Sequence, residues 1–233
     1  FLDFVGSGTK KIAYAASIGY RTFPPKYESK CIEYLKGFES ISVREKSACK
    51  TVAESADKDV ENVLDPTLLL SDLRWLDIAE KPRNLPHRYI LVYMMEGCKY
   101  TIEKARALAR DKECDLVLIN PTLRQRQTCK DFVMYKAASP EEFVGMFAQA
   151  DAVVTNSFHG VVFSVILKKE FYAETSNAEK SARIVDLLAL FDLSDRILPN
   201  EINGKPNWEK VNSQLIKEKN KSISWLKDSL GLN

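Results

Sequence analysis

The sequence predicts an α/β protein built on parallel sheets. Three observations carry that expectation. Short apolar runs alternate with stretches of helical periodicity from Ile12 to Phe191; the runs end on proline, glycine or capping residues; and the alternation stops once, in a proline-rich connection, before starting again. At 233 residues, with 45% hydrophobic and 28% charged, the chain holds enough apolar material for a real core and falls between one domain and two.

Taken in order, Lys10-Lys11 leads into Ile12-Ala13-Tyr14-Ala15-Ala16-Ser17, a buried strand stopped by Gly19. Glu28 to Phe38 reads as a helix and Ile41-Ser42-Val43 as a strand. Glu45 to Ala56 returns to helix, and Val60 to Leu64 is a strand closed by Asp65-Pro66-Thr67, because proline donates nothing to a ladder. Lys81 to His87, with two prolines, has the composition of a connection, so the domain boundary is expected at residues 84–85. Beyond it, Tyr89 to Met94 is a strand, Tyr100 to Lys112 a helix and Asp115 to Ile119 a strand; Arg124-Gln125-Arg126-Gln127 reads as a solvated loop. Ser139-Pro140-Glu141-Glu142 combines a cap, a proline in the first turn and two acids, and starts a helix that runs to Ala150. Ala152 to Thr155 is a strand, Val161 to Leu167 a helix, Glu170 to Ala173 a strand, and Lys180 to Phe191 a helix. Three parts are expected: residues 1–84 and 85–206 as Rossmann-like units, and 207–233 as a helix packed on a domain surface.

The totals narrow the function. Lys and Arg number 34 against 32 Asp and Glu, too even a balance for a nucleic-acid footprint, and no apolar stretch approaches the roughly 20 residues of a membrane span. The five cysteines are scattered, without the paired spacing of a zinc site or disulfide framework, so no metal is expected. In parallel sheets, ligands gather beyond the carboxyl ends of the strands, where helix N-termini offer unpaired N–H groups. Thr155-Asn156-Ser157-Phe158-His159-Gly160 is the richest such turn. Asn156 and Ser157 read either as helix caps or as ligand contacts, and His159 either as a proton donor or as a filler of the first helical turn. His87, the second histidine, lies in the connection. Arg44 stands at a strand end where a guanidinium grips a carboxylate or phosphate, or else pairs with Glu45 or Glu28. Lys180 and Arg183 open a helix, where cations oppose the macrodipole and suggest an anionic partner, or a solvated turn. Glu96 follows the first strand of the second unit, a position suited to acceptor hydroxyls; Asp65 shapes its turn or orients a neighbour.

Ile12 to Gly19, Ile41-Ser42-Val43-Arg44-Glu45, Val63 to Leu69, and Val154-Thr155-Asn156-Ser157-Phe158-His159-Gly160 resemble, in order, the signatures of the polysaccharide pyruvyl transferases. The resemblance runs to about residue 191 and is most specific at Ser-Phe-His-Gly. It implies a glycosyltransferase-B type of fold: Rossmann-like parallel sheets with the active site between two units, a partial N-terminal unit and a complete C-terminal one, because family members carry further βα units ahead of the equivalent of Phe1. It implies transfer of the enolpyruvyl unit of phosphoenolpyruvate to two sugar hydroxyls, giving a cyclic ketal and phosphate, without a cofactor. His159 and Arg44 are then the catalytic residues, and Asn156, Ser157, Gly160, Lys180, Arg183 and Glu96 bind substrate. The partners implied are phosphoenolpyruvate and a saccharide acceptor, lipid-linked in one version, with no nucleic acid. The setting implied is cytoplasmic, at the inner membrane face where the acceptor is lipid-borne, in assembly of exopolysaccharide or capsule. Two alternatives stand beside it, a nucleotide-sugar glycosyltransferase of the same fold and a non-catalytic glycan-binding remnant. Against the former, Gly6-Ser7-Gly8 lacks the third glycine of a diphosphate loop.

Overall fold

In the computed structural model, residues 2–6, 8–19, 22–95, 98–175, 181–200 and 204–232 are described. The chain divides into two compact units, one of Phe1–Leu69, Asn177–Phe191 and Glu209–Asn233, the other of Leu70–Ser176 and Asp192–Trp208.

The first unit is a three-stranded parallel sheet in the order β1 (Ile12–Ala16), β2 (Ser40–Val43), β3 (Val60–Asn62), with α1 (Glu28–Lys36) and α2 (Cys49–Ala56) as crossovers. Ile41, Val43, Leu35, Phe38, Val52 and Ala56 form its buried core. β1 carries a register shift between Ala13 and Ala16, where Ala15 takes a left-handed φ of 50°. Such a conformation is costly for alanine and persists only if its surroundings hold it. The fully buried Ser42 does so: its Oγ accepts from the Ala15 N–H (3.0 Å) and donates to the Ala13 carbonyl (3.1 Å). Ser42→Ala leaves both backbone groups buried without that partner, and should lower the unfolding free energy by roughly 1–3 kcal/mol in a denaturant titration with unchanged slope.

The expected helix from Glu45 begins as a 3-10 turn at Lys46–Ala48, while Glu45 stays extended and buried. Two late helices complete this unit. α8 (Ala182–Leu190) sends Asp186 to accept from the Ser47 N–H (2.8 Å). Most of α9 (Trp208–Leu230) packs here too: Ser222 Oγ accepts from the Leu64 N–H (2.9 Å), Lys221 pairs with Glu61 (2.7 Å), and Trp225 meets Tyr14 at 6.1 Å between ring centres.

The second unit is a six-stranded parallel sheet. Its strands are β4 (Tyr89–Tyr93), β5 (Asp115–Ile119), β6 (Val133–Tyr135), β7 (Ala152–Thr155), β8 (Phe171–Glu174) and β9 (Ile197–Leu198), in the spatial order β6-β5-β4-β7-β8-β9. The helices are α3 (Asp72–Asp77), α4 (Lys99–Lys112), α5 (Leu123–Thr128), α6 (Pro140–Gln149) and α7 (Phe158–Ile166). The fully buried Ile90, Leu91, Val92, Val153 and Val154 show why β4 and β7 read as continuous apolar runs: they are central strands covered on both faces.

The expected boundary at 84–85 follows composition, whereas packing changes unit at 69–70. The segment before the proline-rich connection is tied to the second unit by Trp75 edge-on to Phe163 (5.0 Å), Asp72 paired with Lys168 (3.1 Å) and the Glu80 N–H bonded to the Glu141 carbonyl (3.0 Å). The solvated loop expected at Arg124–Gln127 is α5. Thr122 and Gln125 form a capping box, and the buried Gln125 amide donates to the Met94 carbonyl (3.2 Å).

Candidate active site

In the second unit, strand order reverses between β4 and β7, so the crossovers on either side depart in opposite senses and leave a crevice beyond the carboxyl ends of those two strands. The turn singled out in the sequence is the wall of that crevice. Tyr93 pairs with Thr155 across the ladder, and Thr155 Oγ1 donates back to the Tyr93 carbonyl (2.5 Å) while accepting from the Ser157 N–H (3.0 Å). Asn156 spans the crevice floor: its Oδ1 accepts from the Met95 N–H (2.8 Å), and its Nδ2 lies 2.9 Å from Cys98 Sγ. Both ends of the carboxamide therefore engage the chain, and Asn156 sets the geometry of the two loops. Ser157 is buried at the N-cap of α7, and its side chain makes no capping bond.

α7 begins at Phe158, three residues earlier than its apolar run suggests. That start puts His159 in the first helical turn, exposed, while Phe158, Gly160, Val161 and Val162 are buried around it. The Phe158 ring stands edge-on to the imidazole at 5.4 Å. Gly160 is dictated by packing: a Cβ there would lie 2.2 Å from Thr155 Oγ1 and 2.9 Å from Thr155 Cβ. Gly160→Ala must displace the residue that pins β7 to β4. It should cost roughly 1–3 kcal/mol of stability, read as a lowered thermal midpoint, with part regained in Gly160→Ala/Thr155→Ala.

The first unit gathers charge beyond its own strand ends. Arg44 leaves β2, its N–H bonded to the Ala16 carbonyl (3.1 Å), and its guanidinium donates to Asp65 Oδ2 (2.5 Å). Asp65 is buried. Burial opposes its ionisation, but the Thr67 hydroxyl and amide, together with Arg44, outweigh burial and hold the carboxyl below its ordinary value. Glu45, fully buried, accepts at Oε1 from Ser17 Oγ (2.7 Å) and from the N–H groups of Ile18 (3.0 Å) and Gly19 (3.2 Å), fixing the turn that follows β1; its Oε2 has no hydrogen-bond partner among the described residues.

Arg183, from α8, joins this cluster. It is half-buried, and its pKa is lowered first by burial and then by the charge of Arg44, against the pull of Glu45 and Asp65. The sequence grouped Arg183 with His159 because it follows one βα unit later, but its charged neighbours Arg44, Glu45 and Asp65 all belong to the first unit. Lys180 and Glu96 lie outside the described residues. Sequence reasoning did not assign Glu45 a site role; its only signal was an acid directly after a strand-end arginine, hidden inside a helical pattern. Among the described residues no three His, Cys, Asp or Glu side chains gather as a metal site would require, and no helix is long and apolar enough to cross a membrane.

The model of one family, polysaccharide pyruvyl transferase, matches residues 1–176. The chain belongs to the polysaccharide pyruvyl transferase family. No curated protein matches. Among solved structures, UDP-N-acetylglucosamine 2-epimerase from Rickettsia bellii is similar at 12% identity and a TM-score of 0.54, over 96% of this chain and 66% of that one. The UDP-GlcNAc 2-epimerase of Methanocaldococcus jannaschii is similar at 15% identity and 0.44, over 78% and 60%. The wall teichoic acid polymerase TagF is similar at 12% and 0.43, over 96% and 61%. This family member thus spans between 60% and 66% of the length of these structures. The likeness to the Rickettsia structure is one of fold, and the fold is the α/β, parallel-sheet type that the strand and helix alternation predicts.

Proposed function

We propose that this pyruvyl transferase family member moves the enolpyruvyl unit of phosphoenolpyruvate onto two hydroxyls of a saccharide, forming a cyclic pyruvate ketal. The observation that carries the reading is Arg44, half-buried at the end of β2 on the carboxylate of Asp65, with Arg183 of α8 sharing its charged neighbourhood. A ligand that carries a phosphate and a carboxylate on one carbon offers two anionic groups to such guanidiniums.

The chemistry sets one further demand, an acid. Protonation of the donor's methylene carbon converts it to a methyl group and leaves a cation at the carbon bearing the phosphate. One sugar hydroxyl adds there and loses its proton. Cleavage of the carbon–oxygen bond then expels phosphate, and a second hydroxyl adds to the new cation, its proton leaving with phosphate. His159, exposed in the first turn of α7, is the proposed acid. Arg44 and Arg183 hold the anionic groups and stabilise the phosphate as it leaves. The reading needs no cofactor, and the acceptor is a cell-surface polysaccharide precursor, of which a lipid-linked saccharide is the form to assay first.

The test is to incubate the full-length protein with phosphoenolpyruvate and galactose- or mannose-containing lipid-linked saccharides. Release of one phosphate per ketal, with the matching mass gain in the acceptor, is expected. Turnover only with a nucleotide sugar would overturn the reading in favour of glycosyl transfer.

A further inference from the structure

We propose that Asp65, braced by Thr67, is a positioning residue for the donor's anionic end: it aims the Arg44 guanidinium. The inference rests on the reading that Arg44 and Arg183 receive phosphoenolpyruvate.

The geometry is more than a turn requires. Asp65 Oδ1 accepts from the Thr67 N–H (3.0 Å) and from Thr67 Oγ1 (2.5 Å), the local bonding that shapes an aspartate-proline turn. The turn is stiff, since Pro66 opens a 3-10 segment at Pro66–Leu69, the Leu68 N–H bonds to the Asp65 carbonyl (2.9 Å), and Leu68 is fully buried. With Oδ1 committed, the carboxylate plane is fixed and Oδ2 is delivered to a guanidinium 21 residues earlier in the chain. Asp65 is 3% exposed and the Arg44 side chain 17%, so the anion is sealed in while the cation keeps one side open. Fixing a long side chain in advance removes an entropic cost from ligand capture.

Charged and titratable groups around Asp65 include Tyr14 from β1, Arg44 from the end of β2 and Arg183 from α8. Asp65 is bonded directly to the Arg44 guanidinium, so protonating its carboxylate weakens the contact that aims this arginine. Its carboxyl is held below the ordinary range, and Thr67 contributes to holding it there. Removing the Thr67 hydroxyl should therefore raise it.

The experiment is calorimetric binding of phosphoenolpyruvate, and separately of inorganic phosphate, to the full-length protein and to Thr67→Val and Asp65→Asn, across acidic to neutral pH. Comparison with wild type at each pH cancels the titration of the ligand itself. Thr67→Val should bind phosphoenolpyruvate about tenfold more weakly, with its acid-side loss of affinity displaced to higher pH; Asp65→Asn should bind at least about tenfold more weakly at neutral pH, with the part of the acid-side loss that belongs to Asp65 absent. Wild-type affinity and pH dependence in both variants would overturn the proposal. So would a weakening that appears only alongside a lowered melting temperature, which assigns Asp65 to stability alone. If the wild type binds phosphate but not phosphoenolpyruvate, the donor assignment falls, and the same series read on phosphate still decides the role of Asp65. Binding of neither ligand overturns both.

Discussion

His159→Ala is expected to lower turnover by at least about a hundredfold while phosphoenolpyruvate still binds, the scale of a lost general acid. The mutation should leave the fold intact, because the imidazole is exposed and the α7 contacts that hold the crevice come from Phe158, Gly160 and Val161. Steady-state kinetics separates two ways in which His159 can act. A proton donor is replaced by nothing in His159→Gln, which should then be as impaired as alanine in kcat, with KM for the donor little changed. A residue that only hydrogen-bonds phosphate is partly replaced by the glutamine amide, and its loss raises KM instead. Turnover at the wild-type rate in His159→Ala would remove the residue from the mechanism, and the turn at the β4–β7 crevice would lose its chemical role with it.

What the sequence made legible was local. The Ser139-Pro140-Glu141-Glu142 start is the capping box found in the structure, with Ser139 Oγ accepting from the Glu142 N–H (3.1 Å) and Glu142 accepting from the Ser139 N–H (3.0 Å). The β7 turn was equally readable, since an apolar run followed by Thr-Asn-Ser and a glycine states a strand end, a polar crossing and a close approach. The same kind of signal was present and unused at Thr122 and Gln125, whose spacing is that of a capping box, because the polar run Arg124-Gln125-Arg126-Gln127 dominated the composition.

What composition and periodicity did not carry was where distant segments return. Arg183 lies 139 residues after Arg44, and α8 comes after the last long strand of the second unit, yet both arginines share one charged neighbourhood in the first. Periodicity reports which face of α8 is apolar and says nothing about the surface it meets. One tie is the long-range bond from the Ser47 N–H to Asp186, and its partners look in sequence like any surface serine and acid. Glu45 was opaque for a related reason. A charged residue ahead of a helical run reads as a solvated first turn, and only tertiary packing shows it sealed against the N–H groups of Ile18 and Gly19.

Arg44→Ala is expected to lower kcat/KM for phosphoenolpyruvate by at least about a hundredfold, and Arg44→Lys to recover little of it, because an ammonium keeps the charge but not the planar pair of donors. The mutation also removes the partner of a buried carboxylate, so its effect on stability follows from Asp65. In the wild type that carboxyl is depressed below its unfolded value, so its contribution to stability is fully present above the ordinary aspartate range, near pH 4, and is lost as pH falls through the lower folded value. Without Arg44 the depression shrinks. The variant should therefore be less stable than wild type at neutral pH, and the gap should narrow once the pH drops below about 4. Denaturant midpoints measured at neutral and acidic pH check this independently of any assay. A gap that stays constant with pH would mean that Arg44 and Asp65 are not coupled in solution. In that case a kinetic defect in Arg44→Ala would have to come from direct loss of a ligand contact, with Asp65 playing no part.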